Sequence, residues 1–145
     1  MKELRASIDI QATPERVWDV LTDFASFSEW NPFITSLIGK AEPGAKLTVR
    51  IEPPDGRAMT FKPTVLRADG AREFRWLGRL GLPRVFDGEH IFELQAHKGG
   101  TRFVQREEFR GALVTPLLAW VGKSTEAGFK QMNEALKARA EVASA

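Results

Sequence analysis

Apolar and polar residues alternate with a period of two along most of this 145-residue chain, and near residue 115 the period lengthens to that of a helix. Leu4, Ala6, Ile8 and Ile10 alternate with Arg5, Ser7, Asp9 and Gln11, which predicts a first strand with one buried and one solvated face. Thr13-Pro14 then supplies an N-cap and a first helical residue for a short helix through Val17, Trp18 and Leu21. The stretch 23–32, broken by Ser and Pro, predicts a second short helix and a turn. Further strands are predicted at about 34–39, 46–52, 58–68, 72–79, 85–97 and 101–111. Their separators, such as Pro53-Pro54-Asp55-Gly56, Asp69-Gly70 and Lys98-Gly99-Gly100, have the chemistry of turns. Pro63 lacks an N–H and marks an edge position or a bulge inside one strand.

From Thr115-Pro116, a second cap-like pair, Leu117, Leu118, Val121, Thr125, Gly128, Phe129, Met132, Ala135 and Leu136 form one apolar stripe. Lys123, Glu126, Lys130, Asn133, Glu134 and Lys137 fall opposite, with Glu126 and Lys130 spaced as an i,i+4 pair. Trp120 lies off the stripe and is expected to be partly exposed. The resulting α+β fold, over a single domain 1–145, is an antiparallel sheet of about seven strands, ordered β-α-α-β6-α, with a long terminal helix across its concave face.

Several chemistries are excluded by what the chain lacks. There is no Cys, hence no disulfide, thiolate metal site or cysteine nucleophile. The two His, His90 and His97, have opposite strand parity, so no His-based metal site is expected, and no cofactor motif is present. Gly122-Lys123-Ser124 mimics the end of a phosphate loop, but Leu117 stands where Gly is required and the segment is helical. Arg50, Lys62, Arg75, Arg79, Arg102 and Arg106 on the outer sheet face are interleaved with Glu52, Glu73, Glu93 and Glu108, which argues against nucleic-acid binding. The longest apolar run, Leu113 to Val121, contains Thr115 and Pro116 and is far below the roughly 20 residues of a membrane span. The opening Met1-Lys2-Glu3-Leu4-Arg5 has no apolar stretch of signal-peptide length, so a cytoplasmic location is expected.

Ten Phe and four Trp with no Tyr predict an interior with few hydroxyls to satisfy. By parity the inward set includes Leu47, Val49, Ile51, Met59, Phe61, Val65, Phe74, Trp76, Phe86, Phe92, Leu94, Phe103 and Phe109. One helical stripe covers only part of that area. Either the rings close the gap themselves or an apolar cavity remains between helix and sheet, the ordinary site for a small hydrophobic ligand.

Three segments carry a resemblance to a known superfamily. They are Thr13-Pro14-Glu15-Arg16-Val17-Trp18, the run from Asp23-Phe24 to Trp30-Asn31-Pro32, and the late pattern Gly88-Glu89-His90-x-Phe92-x-Leu94, Gly100-Thr101-Arg102, Glu108-Phe109-x-Gly111. Over its whole length the chain resembles the SRPBCC superfamily of START, Bet v 1-like and polyketide cyclase/dehydrase proteins, with the helix-grip fold. The resemblance implies a hydrophobic cavity for a lipid, polyketide or similar molecule, in a carrier or sensor. In some members it implies aldol-type cyclisation or dehydration, and in others activation of the Hsp90 chaperone. Gly81-Leu82-Pro83 resembles the gate loop of plant abscisic-acid receptors, and the loops 53–57 and 79–84 are the expected gates.

A two-residue turn at Lys98-Gly99 would set His97 opposite Gly100 and make every cross-strand pair sum to 197. His90 then faces Glu107, Phe92 faces Gln105 and Leu94 faces Phe103, all on the apolar side. A turn at Gly99-Gly100 would instead oppose His90 to Phe109. In the first register His90 and Glu107 are candidates for a catalytic acid/base pair or a ligand-orienting pair, and a buried structural pair is the alternative. The expected ligand contacts on the sheet are Phe61, Phe74, Trp76, Phe86, Phe92, Phe103 and Phe109, with Gln105 beside the pair. Trp30 joins them from before the meander, and Leu118, Val121 and Phe129 from the helix. The expected partner is a small hydrophobic molecule, without nucleic acid or integral membrane association, a protein partner or homodimer being left open.

Overall fold

Strand pairing follows the alternation. The computed structural model describes residues 1–79 and 84–142. In order, β1 (Lys2–Ile10) leads into α1 (Pro14–Thr22), a 3₁₀ turn (Phe24–Ser26) and the one-turn helix α2 (Phe27–Trp30). The strands β2 (Ile34–Ile38), β3 (Thr48–Ile51), β4 (Met59–Phe61), β5 (Thr64–Asp69), β6 (Glu73–Arg79), β7 (Asp87–His97) and β8 (Gly100–Arg110) precede the long helix α3 (Val114–Glu141). Thr13 caps α1 as its sequence predicts, accepting from the Arg16 N–H at 3.2 Å, with Pro14 in the first turn.

The strands form two antiparallel sheets, β1-β8-β7-β6-β5 and β2-β3-β4. The division falls at Pro63, which cannot donate to a ladder and splits the strand expected at 58–68 into β4 and β5. Pro63 still accepts from the Leu47 N–H at 2.9 Å, and an isolated bridge between Lys46 and Thr64 ties the sheets together. Met59, expected inward, is 46% exposed, because β4 is a three-residue edge strand.

The β7–β8 hairpin turns on Lys98 and Gly99, at φ +50° and +80°, the two left-handed residues of a primed turn. His97 therefore pairs with Gly100 and the whole ladder sums to 197. Across the five strands this register creates rows of side chains on one face. One row runs Leu4, Glu107, His90, Trp76, Val65 and the next Ala6, Gln105, Phe92, Phe74, Ala68. A third row holds Phe109, Gly88 and Gly78. On the outer face Glu89 opposes Glu108, and Arg110 reaches both carboxylates at 3.7 and 3.3 Å, offsetting their repulsion. Burial disfavours the charge of neighbouring Arg106, but its bonds to Glu93 and Glu108 outweigh this and hold its pKa above the ordinary value.

Helix α3 packs against β1, β8 and α1. Thr115 is not its cap: the N-cap is Leu113, and Thr115 and Pro116 lie inside the first turn, where Pro forfeits no helical hydrogen bond. Trp120 is 83% exposed, as its place off the stripe predicts. The buried face is Val114, Gly122, Gly128, Phe129, Met132, Asn133, Leu136 and Ala140, so Asn133 is buried rather than solvated. No helix among the described residues is long and apolar enough to cross a membrane.

Candidate functional site

The row Leu4–Glu107–His90–Trp76–Val65 brings the only buried imidazole among the described residues to the middle of an aromatic face. Its ring stacks on Phe92 at 4.5 Å between centroids and meets Trp76 and Phe129 at 5.1 Å each. His90 Nε2 lies 2.8 Å from Gln105 Oε1, while Nδ1 faces Glu107 Oε1 at 3.7 Å. Gln105 Nε2 donates to Asn133 Oδ1 at 2.9 Å and to the Phe129 carbonyl at 3.4 Å. A polar line thus runs from Glu107 through His90 and Gln105 to Asn133 on α3. Asn133 was the residue that sequence reasoning missed. Its spacing, four after Phe129 and three before Leu136, was the available signal.

Burial governs the protonation of this line. It pushes the Glu107 carboxyl up to about 8, and it brings His90 down to about 4 against the opposing effect of the hydrogen bond to Gln105. At neutral pH His90 is uncharged and Glu107 mostly protonated, so the 3.7 Å contact is not an ion pair. Glu107 makes no hydrogen bond within the described residues, and its side chain keeps 19% exposure. Asn133 Nδ2 is likewise buried without a partner there.

Glycine makes room for the carboxyl. Gly88 and Gly78 are paired across β7 and β6, and a β-carbon on Gly88 would stand 2.5 Å from Glu107 Oε2. A β-carbon on Gly78 would touch the Phe61 ring at 3.6 Å. Phe86 packs on Phe109 at 5.4 Å beside them. Elsewhere the rings close the interior themselves: Phe74 stacks on Phe24 and Phe92 at 5.8 and 6.0 Å, and Phe92 stacks on Phe103 at 6.0 Å. Phe74, Trp76, Phe92, Phe103, Gln105 and Phe129 are all buried to 1% exposure or less.

Space appears beside Leu4, at the β1 end of the row. A cleft of about 340 Å³ is lined by Leu4, the strand partner of Glu107, and by Leu118, Gly122, Lys123, Glu126, Ala127 and Lys130 of α3. Leu118 thus faces Leu4 across this cleft, whose lining includes neither His90 nor Glu107. Val121 does not sit in a closed pocket, being 42% exposed. Trp30 lies apart: it packs on Phe27 at 5.2 Å and lines a second cleft, of about 440 Å³, with Arg16, Asp19, Val20, Asp23, Arg139 and Val142, at the far end of α3. The proposed gate Gly81, Leu82, Pro83 lies outside the described residues. The other expected gate, 53–57, is tied to α3 by the Ser124 hydroxyl, which donates to the Pro54 carbonyl. His97 is on the opposite face from His90, beside Arg102 and Asp9.

Two antiparallel sheets curled about a long terminal helix, with a few polar groups set into the aromatic face, define a helix-grip protein. The chain belongs to the family described as polyketide cyclase/dehydrase and lipid transport, whose family model matches residues 1–141. No protein of curated function matches the sequence. Among solved structures it is similar to TTHA0849 from Thermus thermophilus, at 20% identity and a TM-score of 0.76, with 99% of this chain and 100% of that one covered. It is also similar to the ZhuI aromatase/cyclase from Streptomyces sp. R1128, at 15% identity and a TM-score of 0.76 over 97% of this chain and 93% of that one. Ara h 8.0201 aligns at 14% identity with a TM-score of 0.71, covering 96% and 97% of the two chains. At these identities the likeness is one of fold.

Proposed function

We propose that this protein binds a small hydrophobic molecule between the five-stranded sheet and α3, as a carrier or sensor, with His90 and Glu107 orienting the ligand's polar group. The observation that carries the reading is the placement of Glu107: its carboxyl stands in the aromatic face 3.7 Å from His90 Nδ1, without a hydrogen-bond partner among the described residues, and its strand partner Leu4 lines the cleft. The side chain keeps 19% exposure, so a polar group arriving from outside can reach the carboxyl. A ligand with one polar group would supply the missing partner. Family membership supports a hydrophobic ligand as well. Titration with the uncharged fluorescent probe phenylnaphthylamine tests this: saturable binding at one site per chain, weakened by Leu118→Glu, is expected, and no saturable binding would overturn it.

A second reading draws on the opposite displacement of the two pKa values. An acid still protonated at neutral pH beside an unprotonated imidazole is the arrangement that aldol-type cyclisation or dehydration uses, Glu107 protonating a carbonyl oxygen and His90 Nδ1 taking the carbon-bound proton. His90→Ala would abolish turnover and spare binding; an unchanged rate would remove the assignment.

A further inference from the structure

The orientation of Gln105 is fixed by a group that can act in one way only. The Phe129 backbone carbonyl is an acceptor, so the Gln105 amide nitrogen, 3.4 Å away, is the end that faces α3. Asn133 Oδ1 accepts from the same nitrogen at 2.9 Å. Gln105 Oε1 is then the end that faces His90. It too is an acceptor, and it stands 2.8 Å from Nε2. His90 must therefore carry its proton on Nε2, which leaves Nδ1 with a bare lone pair directed at Glu107.

The distance from Nδ1 to Glu107 Oε1, 3.7 Å, is too long for a hydrogen bond. An oxygen placed about 2.8 Å from each would lie in hydrogen-bond reach of both. The two partners are complementary: Nδ1 accepts, and a carboxylic acid donates. A hydroxyl does both, giving its proton to Nδ1 and accepting from Glu107. A carboxylate has no proton to give and would bring a negative charge against the imidazole lone pair, into a face of buried rings where ions are poorly solvated.

We propose that Gln105 is a positioning residue which locks His90 in the Nε2–H form, so that His90 and Glu107 together select an uncharged hydroxyl or enol group on an apolar ring system and reject a carboxylate. This rests on the ligand site proposed above and adds the chemical class of its occupant.

Two measurements test it. Long-range ¹⁵N–¹H correlation spectra of the wild-type protein report which nitrogen of His90 bears the proton: Nε2–H is expected, and Nδ1–H would overturn the role of Gln105. Affinities for naphthol, naphthalene and naphthoate at neutral pH then read the selection. Naphthol is expected to bind at least tenfold more tightly than naphthalene, and naphthoate more weakly than either. Gln105→Leu should bring naphthol to within threefold of naphthalene; the wild-type spectra and affinities decide the matter if that variant does not fold. Naphthalene or naphthoate binding as tightly as naphthol would overturn the selection and leave the ligand site standing. Failure of all three to bind would overturn the site itself.

Discussion

The Glu107 carboxyl occupies the space that a side chain on Gly88 would take: a β-carbon there would lie 2.5 Å from Glu107 Oε2. The glycine is required by its neighbour rather than by its own backbone. Because the displaced atoms belong to the end of a flexible side chain, Gly88→Ala is expected to cost little stability, about 1 kcal/mol or less. It should nevertheless displace the carboxyl from the position it holds beside His90. Loss of naphthol affinity with a nearly unchanged melting temperature is the predicted outcome, and unchanged affinity would contradict it.

Stability should fall as pH rises through neutrality. Glu107 has its folded pKa raised from 4.5 to about 8, so its contribution is intact below 4.5 and is lost as pH climbs through 8. His90 is lowered from 6.5 to about 4, so its contribution is intact above 6.5 and is lost as pH falls through 4. Above 6.5 Glu107 acts alone within the pair. Glu107→Gln should therefore gain on the wild type by roughly 2 kcal/mol between pH 6.5 and 8. Parallel thermal melts of the two proteins over that range check this, and a constant difference would refute it.

Gly128 is tight for a different reason. A β-carbon on this α3 residue would overlap the ring of Phe33, which is 1% exposed and meets Phe129 edge-on at 5.7 Å. Here the obstacle is a packed ring that cannot swing away. Gly128→Ala should destabilise the fold by about 1–3 kcal/mol, although alanine is the better helix former. Denaturant unfolding measures it; a stabilised variant would show that α3 shifts freely.

The 53–57 loop is held by the hydroxyl of Ser124 on the Pro54 carbonyl. Removing one such bond with Ser124→Ala is worth about 1 kcal/mol. Amide exchange at Gly56 is expected to accelerate roughly fivefold while that of Phe129 and Met132 does not change. Equal exchange at Gly56 in both proteins would mean that other contacts hold the loop.

The sequence made the sheet register legible because Lys98-Gly99 admits a two-residue primed turn, and that turn alone sets His90 opposite Glu107 and Phe92 opposite Gln105. The break at Pro63 was legible as a perturbation, not as a boundary between sheets, since the boundary depends on how the distant segments 44–47 and 63–65 pair. Polarity points Asn133 to solvent, yet helical spacing places it on the buried face, where a polar residue is tolerated because a partner, Gln105, meets it. Trp30 and Val121 were unreadable locally. Their distance from His90 depends on where α2 and the first turns of α3 come to rest, and packing between distant segments carries no local period.

Nuclear Overhauser contacts between bound phenylnaphthylamine and the protein test the ligand site most directly. The account predicts contacts with the side chains of Leu4 and Leu118 and with the His90 ring. Contacts confined to the exposed indole of Trp120, or to the Trp30 cleft, would contradict it.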